Sequence, residues 1–179
     1  MTTFKSSIRP TATTANTQKS SKNDRGFSTL IAVDEAMSDY ERMKVIDWPD
    51  AEGLLLTAES SLKQASGHQE NGCAIAQITA ALQIQNITYL HIIAPCSPGS
   101  IHFTTGDFNG KTLGLYADSL QTWFAPASSE GPKRLEPEIF IHSGNFDANR
   151  EGKMLIDHLH FLTGAAVTTT PLRKLPKCQ

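Results

Sequence analysis

Residues 87–94 read ITYLHIIA, and Pro95 closes this stretch, which is the most strand-like in the chain. Its nearly continuous run of apolar and β-branched side chains is typical of a strand that is covered on both faces of a sheet. Further strand-like runs are found at residues 29–33, 53–57, 138–142 and 165–170, with a brief one at 101–103. The sequence therefore predicts several short, buried strands.

Helical stripes separate these strands, since apolar residues recur at intervals of three and four positions. They are Ile75, Ile78 and Leu82 in the first helix, Leu113, Tyr116, Leu120 and Trp123 in the second, and Leu155, Leu159 and Leu162 in the third. Gly164 is expected to end the third helix. Strands that alternate with helices predict a three-layer α/β fold, with a mostly parallel sheet and helices on both faces.

Charge and composition divide the chain into three parts. Residues 1–26 are rich in serine and threonine and carry five basic groups against one acidic group, which predicts a disordered basic tail. Residues 27–170 carry 8 basic and 17 acidic groups and form the predicted α/β domain, and residues 171–179 form a basic C-terminal tail. Because an acidic body repels phosphate backbones, no nucleic-acid partner is expected.

The cysteines do not indicate a metal site. Cys73, Cys96 and Cys178 are odd in number and lack paired metal-ligand spacing, and three thiols in a chain of this length suggest a reducing compartment. No cofactor or metal is expected. No apolar run approaches the ~20 residues of a membrane span, and no apolar core of a signal peptide is visible. A cytoplasmic location without membrane contact is therefore the expectation.

Two segments resemble a known family. Residues 90–100 (LHIIAPCSPGS) resemble the strand and turn IHIVSHGSPGS, and residues 139–145 (IFIHSGN) together with 162–167 (LTGAAV) resemble the segments LLYGCN and LTGADV. Both patterns belong to domain-of-unknown-function family number 4347, and the likeness covers roughly residues 27–170. The resemblance implies a caspase-like fold, related to flavodoxin-like sheets, and a place in large bacterial, often cyanobacterial, surface or secreted proteins. Secretion is thus the alternative to a cytoplasmic location.

The resemblance also implies a catalytic pair that this chain lacks. The family's His and Cys, on neighbouring strand ends, have the arrangement of a cysteine-hydrolase dyad, in which a thiolate attacks and an imidazole carries the proton. Carried over by position, the His falls on Pro95 and the Cys falls on Gly144. Neither residue can perform its role, and losing one partner already removes most of the catalysis. No catalytic residue is therefore expected.

These substitutions predict a pseudoenzyme: a catalytically inactive caspase-like domain that serves as a binding or structural module for a protein or peptide partner. One alternative is a cysteine peptidase that uses a relocated pair, Cys96 and His142. Side chains alternate along a strand, so His142 shares a face with position 144, whereas Cys96 need not share one with position 95. Another alternative is a stand-alone remnant of a large secreted or surface adhesin-type protein.

The other histidines and acidic residues near the strand ends are expected to have structural roles and not catalytic or metal-binding ones. His91 lies within an apolar strand and is predicted to be a hydrogen-bonded core histidine. Asp34 ends the first strand, where it could line a cleft, but we expect it to cap a helix or to be solvated. His158 and His160 stand two positions apart on the third helix and face different directions, so they are not expected to share a metal ion.

Overall fold

The computed structural model of the 179-residue chain describes residues 29–38, 51–58, 73–84, 86–124 and 136–171. The predicted tail at residues 1–26 lies outside the described residues, and so do residues 172–179 of the predicted C-terminal tail.

The described residues form eight strands and three α-helices. The strands are β1 (Thr29–Asp34), β2 (Ala51–Leu56), β3 (Tyr89–Ile93), β4 (Cys96–Ser97), β5 (Ser100–Phe103), β6 (Gly106–Asn109), β7 (Glu138–His142) and β8 (Ala166–Thr170). The helices are α1 (Ala74–Ile84), α2 (Ala117–Gln121) and α3 (Arg150–Thr163), with a 3-10 helix at Leu113–Tyr116. The alternation of strands and helices predicted from the sequence is confirmed.

The central sheet has five strands in the order β2-β1-β3-β7-β8, and every pairing within it is parallel. Parallel neighbours need crossover connections, and α1 and α3 supply two of them. The predicted α/β fold with a parallel sheet is confirmed. All carboxyl ends of these strands meet at one edge, which we call the carboxyl edge.

A second sheet was not predicted. Strands β4, β5 and β6 form a small antiparallel sheet of three strands directly after β3. For this part of the chain the sequence predicted only a brief strand at residues 101–103. Strand β4 begins at Cys96, directly after Pro95 and close to the end of β3. The small sheet therefore adds its own side chains to the carboxyl edge.

One large core cluster lies on one face of the central sheet. Strand residues such as Leu30, Leu90 and Ile139 contribute to it, together with Ile78 of α1, Leu120 of α2 and Leu155 of α3. A smaller cluster of Ile31, Val33 and Ile93 occupies the opposite face, as the alternation of side chains along β1 and β3 requires. Strands β1 and β3 are therefore buried on both faces, in agreement with their continuous apolar runs. The edge strands β2 and β8 are mostly half-buried or exposed, so the burial expected for the run at residues 53–57 is wrong.

Helix α3 begins and ends with clear capping interactions. The side chain of Asn149 accepts a hydrogen bond from the Gly152 backbone N–H at 2.7 Å, which satisfies one of the free donors of the first turn. Gly164 follows the helix with φ +69°, the left-handed conformation that glycine adopts most readily, so the predicted helix end is confirmed.

The second predicted helix differs from the expectation. Its apolar stripe is divided between the 3-10 helix and the five-residue helix α2, and Trp123 lies beyond both. Trp123 is nevertheless buried, and its indole N–H donates to the hydroxyl of Thr79 on α1 at 2.8 Å. The stripe predicted the buried face correctly but not the length of the helix.

Candidate functional site

The tips of β3 and β7 lie side by side at the carboxyl edge. The two strands are parallel neighbours, and Ile92 is paired in register with Ile141. Pro95 and Gly144 each follow three residues after a member of this pair. The two positions that the family resemblance singled out thus come directly after the ends of two neighbouring parallel strands.

Of the two cysteines among the described residues, Cys96 directly follows Pro95, and its surroundings hold it in the protonated form. Its Sγ donates to the carbonyl oxygen of Ala94 at 3.3 Å. Burial raises the pKa of Cys96 to about 11, and a side-chain hydrogen bond with Ser143 opposes this only in part. Because the thiolate is the nucleophilic form, this cysteine is a weak nucleophile at neutral pH.

His142 is engaged by another histidine. Its Nε2 lies 2.9 Å from Nδ1 of His91, and the two rings stack with centroids 5.2 Å apart. His91 also stacks on Phe140, with centroids 4.6 Å apart. His91 is 8% exposed, so its prediction as a hydrogen-bonded core histidine is confirmed. Among the hydrogen bonds between described residues, none joins Cys96 to His142.

Burial keeps both imidazoles neutral. It lowers the pKa of His91 to about 4, with a further contribution from the charge of His142, and burial also lowers the pKa of His142. A hydrogen bond between two neutral imidazoles needs one donor and one acceptor nitrogen, so the short contact fits this charge state. The pair is a neutral, stacked unit within the sheet.

Ser143 connects the two strand tips. Its hydroxyl lies 3.2 Å from Oδ1 of Asn145, and it accepts a hydrogen bond from the Asn145 backbone N–H at 3.4 Å. Ser143 is 9% exposed and shares a hydrogen bond with Cys96. These bonds fix the conformation of the chain directly after β7, next to Gly144.

Asp34 has a role that differs from the expected cap or solvated group. It is fully buried, and its carboxylate accepts hydrogen bonds from the backbone N–H of Thr104 at 2.9 Å and from the Thr104 hydroxyl at 2.6 Å. It also accepts from the backbone N–H of Ala36 at 2.9 Å. These three donors replace water around the carboxylate, so Asp34 anchors the turn between β5 and β6 to the end of β1.

A hydrogen-bonded chain of three side chains on the small sheet was missed by the sequence analysis. Ser97 Oγ lies 2.8 Å from Nε2 of His102, and Nδ1 of His102 lies 2.8 Å from Oδ1 of Asp107. The residues are spaced by five positions in a segment with two tight turns, the second at residues 104–105. This spacing, with a turn between each pair, was the signal available in the sequence.

Other features of the described residues lie away from the strand tips. A cavity of about 230 Å³ is lined by Cys73, Ala76, Thr79, Ala80, Gln83, Tyr116 and Ser119. None of these residues belongs to the tips of β3 or β7. Within the described residues, no group of three or more His, Cys, Asp or Glu side chains is placed to hold a metal ion. No described helix is long and apolar enough to cross a membrane.

The fold and the site together define an α/β domain whose parallel sheet gathers thiol, imidazole and hydroxyl groups at its carboxyl edge. A family model described as "Domain of unknown function (DUF4347)" matches residues 30–171, which is most of the chain, and the chain belongs to this family. The family resemblance carried by residues 90–100 and 139–145 is thereby confirmed. A comparison with curated proteins found no match, and a comparison with solved structures found none either.

Proposed function

We propose that this chain is a caspase-like domain without cysteine-hydrolase chemistry, which serves as a binding or structural module. The observation that carries the proposal is the register of β3 and β7, whose last pair, Ile92 with Ile141, stands three residues before Pro95 and Gly144. In a dyad built on these tips, one position needs an acid–base group and the other a nucleophile. Proline and glycine supply neither.

The neighbouring groups support the same proposal. Burial raises the pKa of Cys96 to about 11, so the thiol is protonated at pH 7. His142 directs its Nε2 at His91, and its lowered pKa reflects burial and not an ion pair with a thiolate. A relocated Cys96–His142 pair would need both groups to break these contacts first.

The charge of the body favours a basic partner. Residues 27–170 carry 8 basic and 17 acidic groups, and such a surface attracts cationic proteins or peptides while it repels acidic ones. We therefore propose a peptide or protein partner with a basic binding segment. Fluorescence anisotropy with a lysine-rich and a glutamate-rich peptide of equal length tests this. Tighter, salt-sensitive binding of the lysine-rich peptide supports the proposal, and equal or no binding of both peptides contradicts it.

Alkylation kinetics test the loss of cysteine chemistry. Iodoacetamide is reacted with the protein at neutral pH, and the rates at Cys96 and Cys73 are followed by peptide mass spectrometry. Slow alkylation of Cys96, unchanged by His142→Ala, supports the proposal, because a protonated thiol needs no imidazole partner to remain unreactive. Fast alkylation of Cys96 that His142→Ala slows contradicts it and indicates the relocated dyad.

A further inference from the structure

Ser97, His102 and Asp107 form a relay with the connectivity of an activated serine: hydroxyl to Nε2, and Nδ1 to carboxylate, each at 2.8 Å. We propose that this relay is a nucleophilic site, in which Ser97 accepts acyl groups from small, activated carboxylic esters. Ser97 and His102 are the catalytic residues, and Asp107 is a positioning residue that acts through His102. The site is separate from Pro95 and Gly144, so it does not rest on the proposed function.

The antiparallel pairing brings the three side chains together. His102 and Asp107 are directly opposite each other on β5 and β6. Ser97 on β4 is opposite Ser100, which precedes His102 by two residues on β5. Residues two positions apart on a strand share a face, so Ser97 is the diagonal neighbour of His102 on that face. The relay is therefore a product of the sheet register.

The carboxylate of Asp107 determines which nitrogen of His102 donates a hydrogen bond and which accepts one. An ionised carboxylate only accepts hydrogen bonds, so the proton of a neutral His102 lies on Nδ1, facing Asp107. Nε2 is then an acceptor, and the hydroxyl of Ser97 must donate to it. This is the protonation state that a general base needs before it removes the proton of a hydroxyl.

Backbone contacts hold Ser97 in place. The turn at Pro98 and Gly99 is fastened to the segment before α3: the Gly99 N–H donates to the Phe146 carbonyl oxygen at 2.9 Å, and Asn149 Nδ2 donates to the Pro98 carbonyl oxygen at 3.3 Å. Gly99 has φ +78°, and a Cβ added there would lie 2.9 Å from Cβ of Glu151. The turn is thus closely packed, which positions the hydroxyl before a substrate arrives.

Access to the relay limits the substrate. The side chains of His102 and Asp107 are 41% and 57% exposed and Ser97 is half-buried, so the relay is open to solvent at its His102–Asp107 end. None of the three residues lines the cavity between α1 and α2. Because the relay faces solvent, we expect small acyl groups with good leaving groups to react first.

The proposed step is balanced within the relay and the ester. Ser97 Oγ forms a bond to the acyl carbon while its proton passes to Nε2 of His102. The bond from the acyl carbon to the leaving alkoxide then breaks, and the proton on Nε2 passes to that alkoxide to give the alcohol. Water repeats the sequence on the seryl ester and restores the hydroxyl, with Nε2 again accepting and returning a proton.

A fluorophosphonate probe tests the nucleophile on the full chain. In this reaction the Oγ–P bond forms, the P–F bond breaks and fluoride leaves, while Nε2 takes the hydroxyl proton. We expect one adduct, located at Ser97 by peptide mass spectrometry and absent in Ser97→Ala. His102→Gln is expected to slow labelling at least about tenfold, because the general base is lost. The matched control Ser100→Ala, a serine opposite Ser97, should label at the unchanged rate.

A second measurement distinguishes a positioning role of Asp107, exerted through His102, from a merely structural role. In the ¹⁵N spectrum of the histidine rings, His102 should carry its proton on Nδ1, and Asp107→Asn should shift that population toward Nε2 while slowing the labelling. Circular dichroism of each variant should match that of the parent chain. Labelling at residues other than Ser97, labelling that survives Ser97→Ala, or a rate that does not depend on His102 would falsify the proposal and leave the relay as a surface hydrogen-bond network.

Discussion

His91 and His142 share a hydrogen bond across two neighbouring parallel strands, with 2.9 Å between Nδ1 of the first and Nε2 of the second. His91 pairs in register with Phe140, so His142 lies two residues further along β7 on the same face. The ring of His91 stacks on both neighbours. The parallel register thus produces a neutral, stacked imidazole pair across β3 and β7.

Acid should destabilise the fold through this pair. The pKa of His91 falls from 6.5 to about 4 on burial, so between these values the unfolded chain binds a proton that the folded chain does not. Stability therefore decreases as the pH falls from about 6.5 toward about 4, with a slope of about 1.4 kcal/mol per pH unit for each such proton. Urea denaturation at a series of pH values measures this slope.

Two variants test whether the His91–His142 pair causes this dependence of stability on pH. His91→Phe keeps a ring next to Phe140 but removes one titrating group, so the slope between pH 4 and 6.5 should decrease. His158→Gln, at an exposed position of α3, should leave the slope unchanged. An unaltered slope in His91→Phe would show that other groups cause the acid sensitivity.

Asp34 and Thr104 should be energetically coupled. Asp34→Asn places an amide near the Thr104 N–H and removes an ionic acceptor from a buried position, which should lower the free energy of unfolding by about 1–3 kcal/mol. Thr104→Val removes only the hydroxyl bond and should cost about 1 kcal/mol. In the double variant the losses should not add, since both act on one contact.

Chemical denaturation of the four proteins of this cycle measures the coupling. Thr168→Val on the exposed side of β8 is the matched control and should change stability by less than about 0.5 kcal/mol. Strictly additive losses would indicate that Asp34 is held by groups other than Thr104.

Gly152 should tolerate no side chain. A Cβ added there would overlap the carbonyl oxygen of Phe146, which is backbone and has no flexible end to move aside. Gly152→Ala should therefore cost about 1–3 kcal/mol despite the better helix propensity of alanine, lowering Tm by several degrees. Gly114→Ala, where no atom lies within 4 Å of the added Cβ, should change Tm little. Equal Tm values for the two variants would contradict this packing.

The local signals in the sequence predicted the central sheet well. Strand β7 was placed at residues 138–142 and observed at Glu138–His142, because an apolar run between a proline-containing loop and a Ser-Gly pair has few other conformations. Gly164 likewise marked the end of α3. In both cases the deciding residues are close to the element in the sequence.

The small sheet and the polar contacts could not be predicted from local sequence. Strands β4 and β6 of the small sheet lack a strand pattern, and the polar contacts join residues that are far apart in the sequence. Strand β4 has only two residues, and β6 reads GDFN, which carries no strand pattern. Asp34 was expected to cap a helix or to be solvated, and its donor Thr104, 70 positions away in the sequence, could not be identified from local pattern. The His91–His142 contact required the order of strands in the sheet, which the sequence alone does not provide.

The small sheet is fastened to the body at three places. Thr104 binds Asp34 after β1, Thr105 Oγ1 accepts from the Ala74 N–H at the start of α1, and Gly99 binds the carbonyl oxygen of Phe146. Replacing residues 96–109 with a short linker would therefore remove the contacts to the end of β1, to the start of α1 and to the segment before α3 together. A shortened chain of this kind should be recovered as insoluble material, whereas grafting foreign residues is safest at the solvent-facing turn around Gly110.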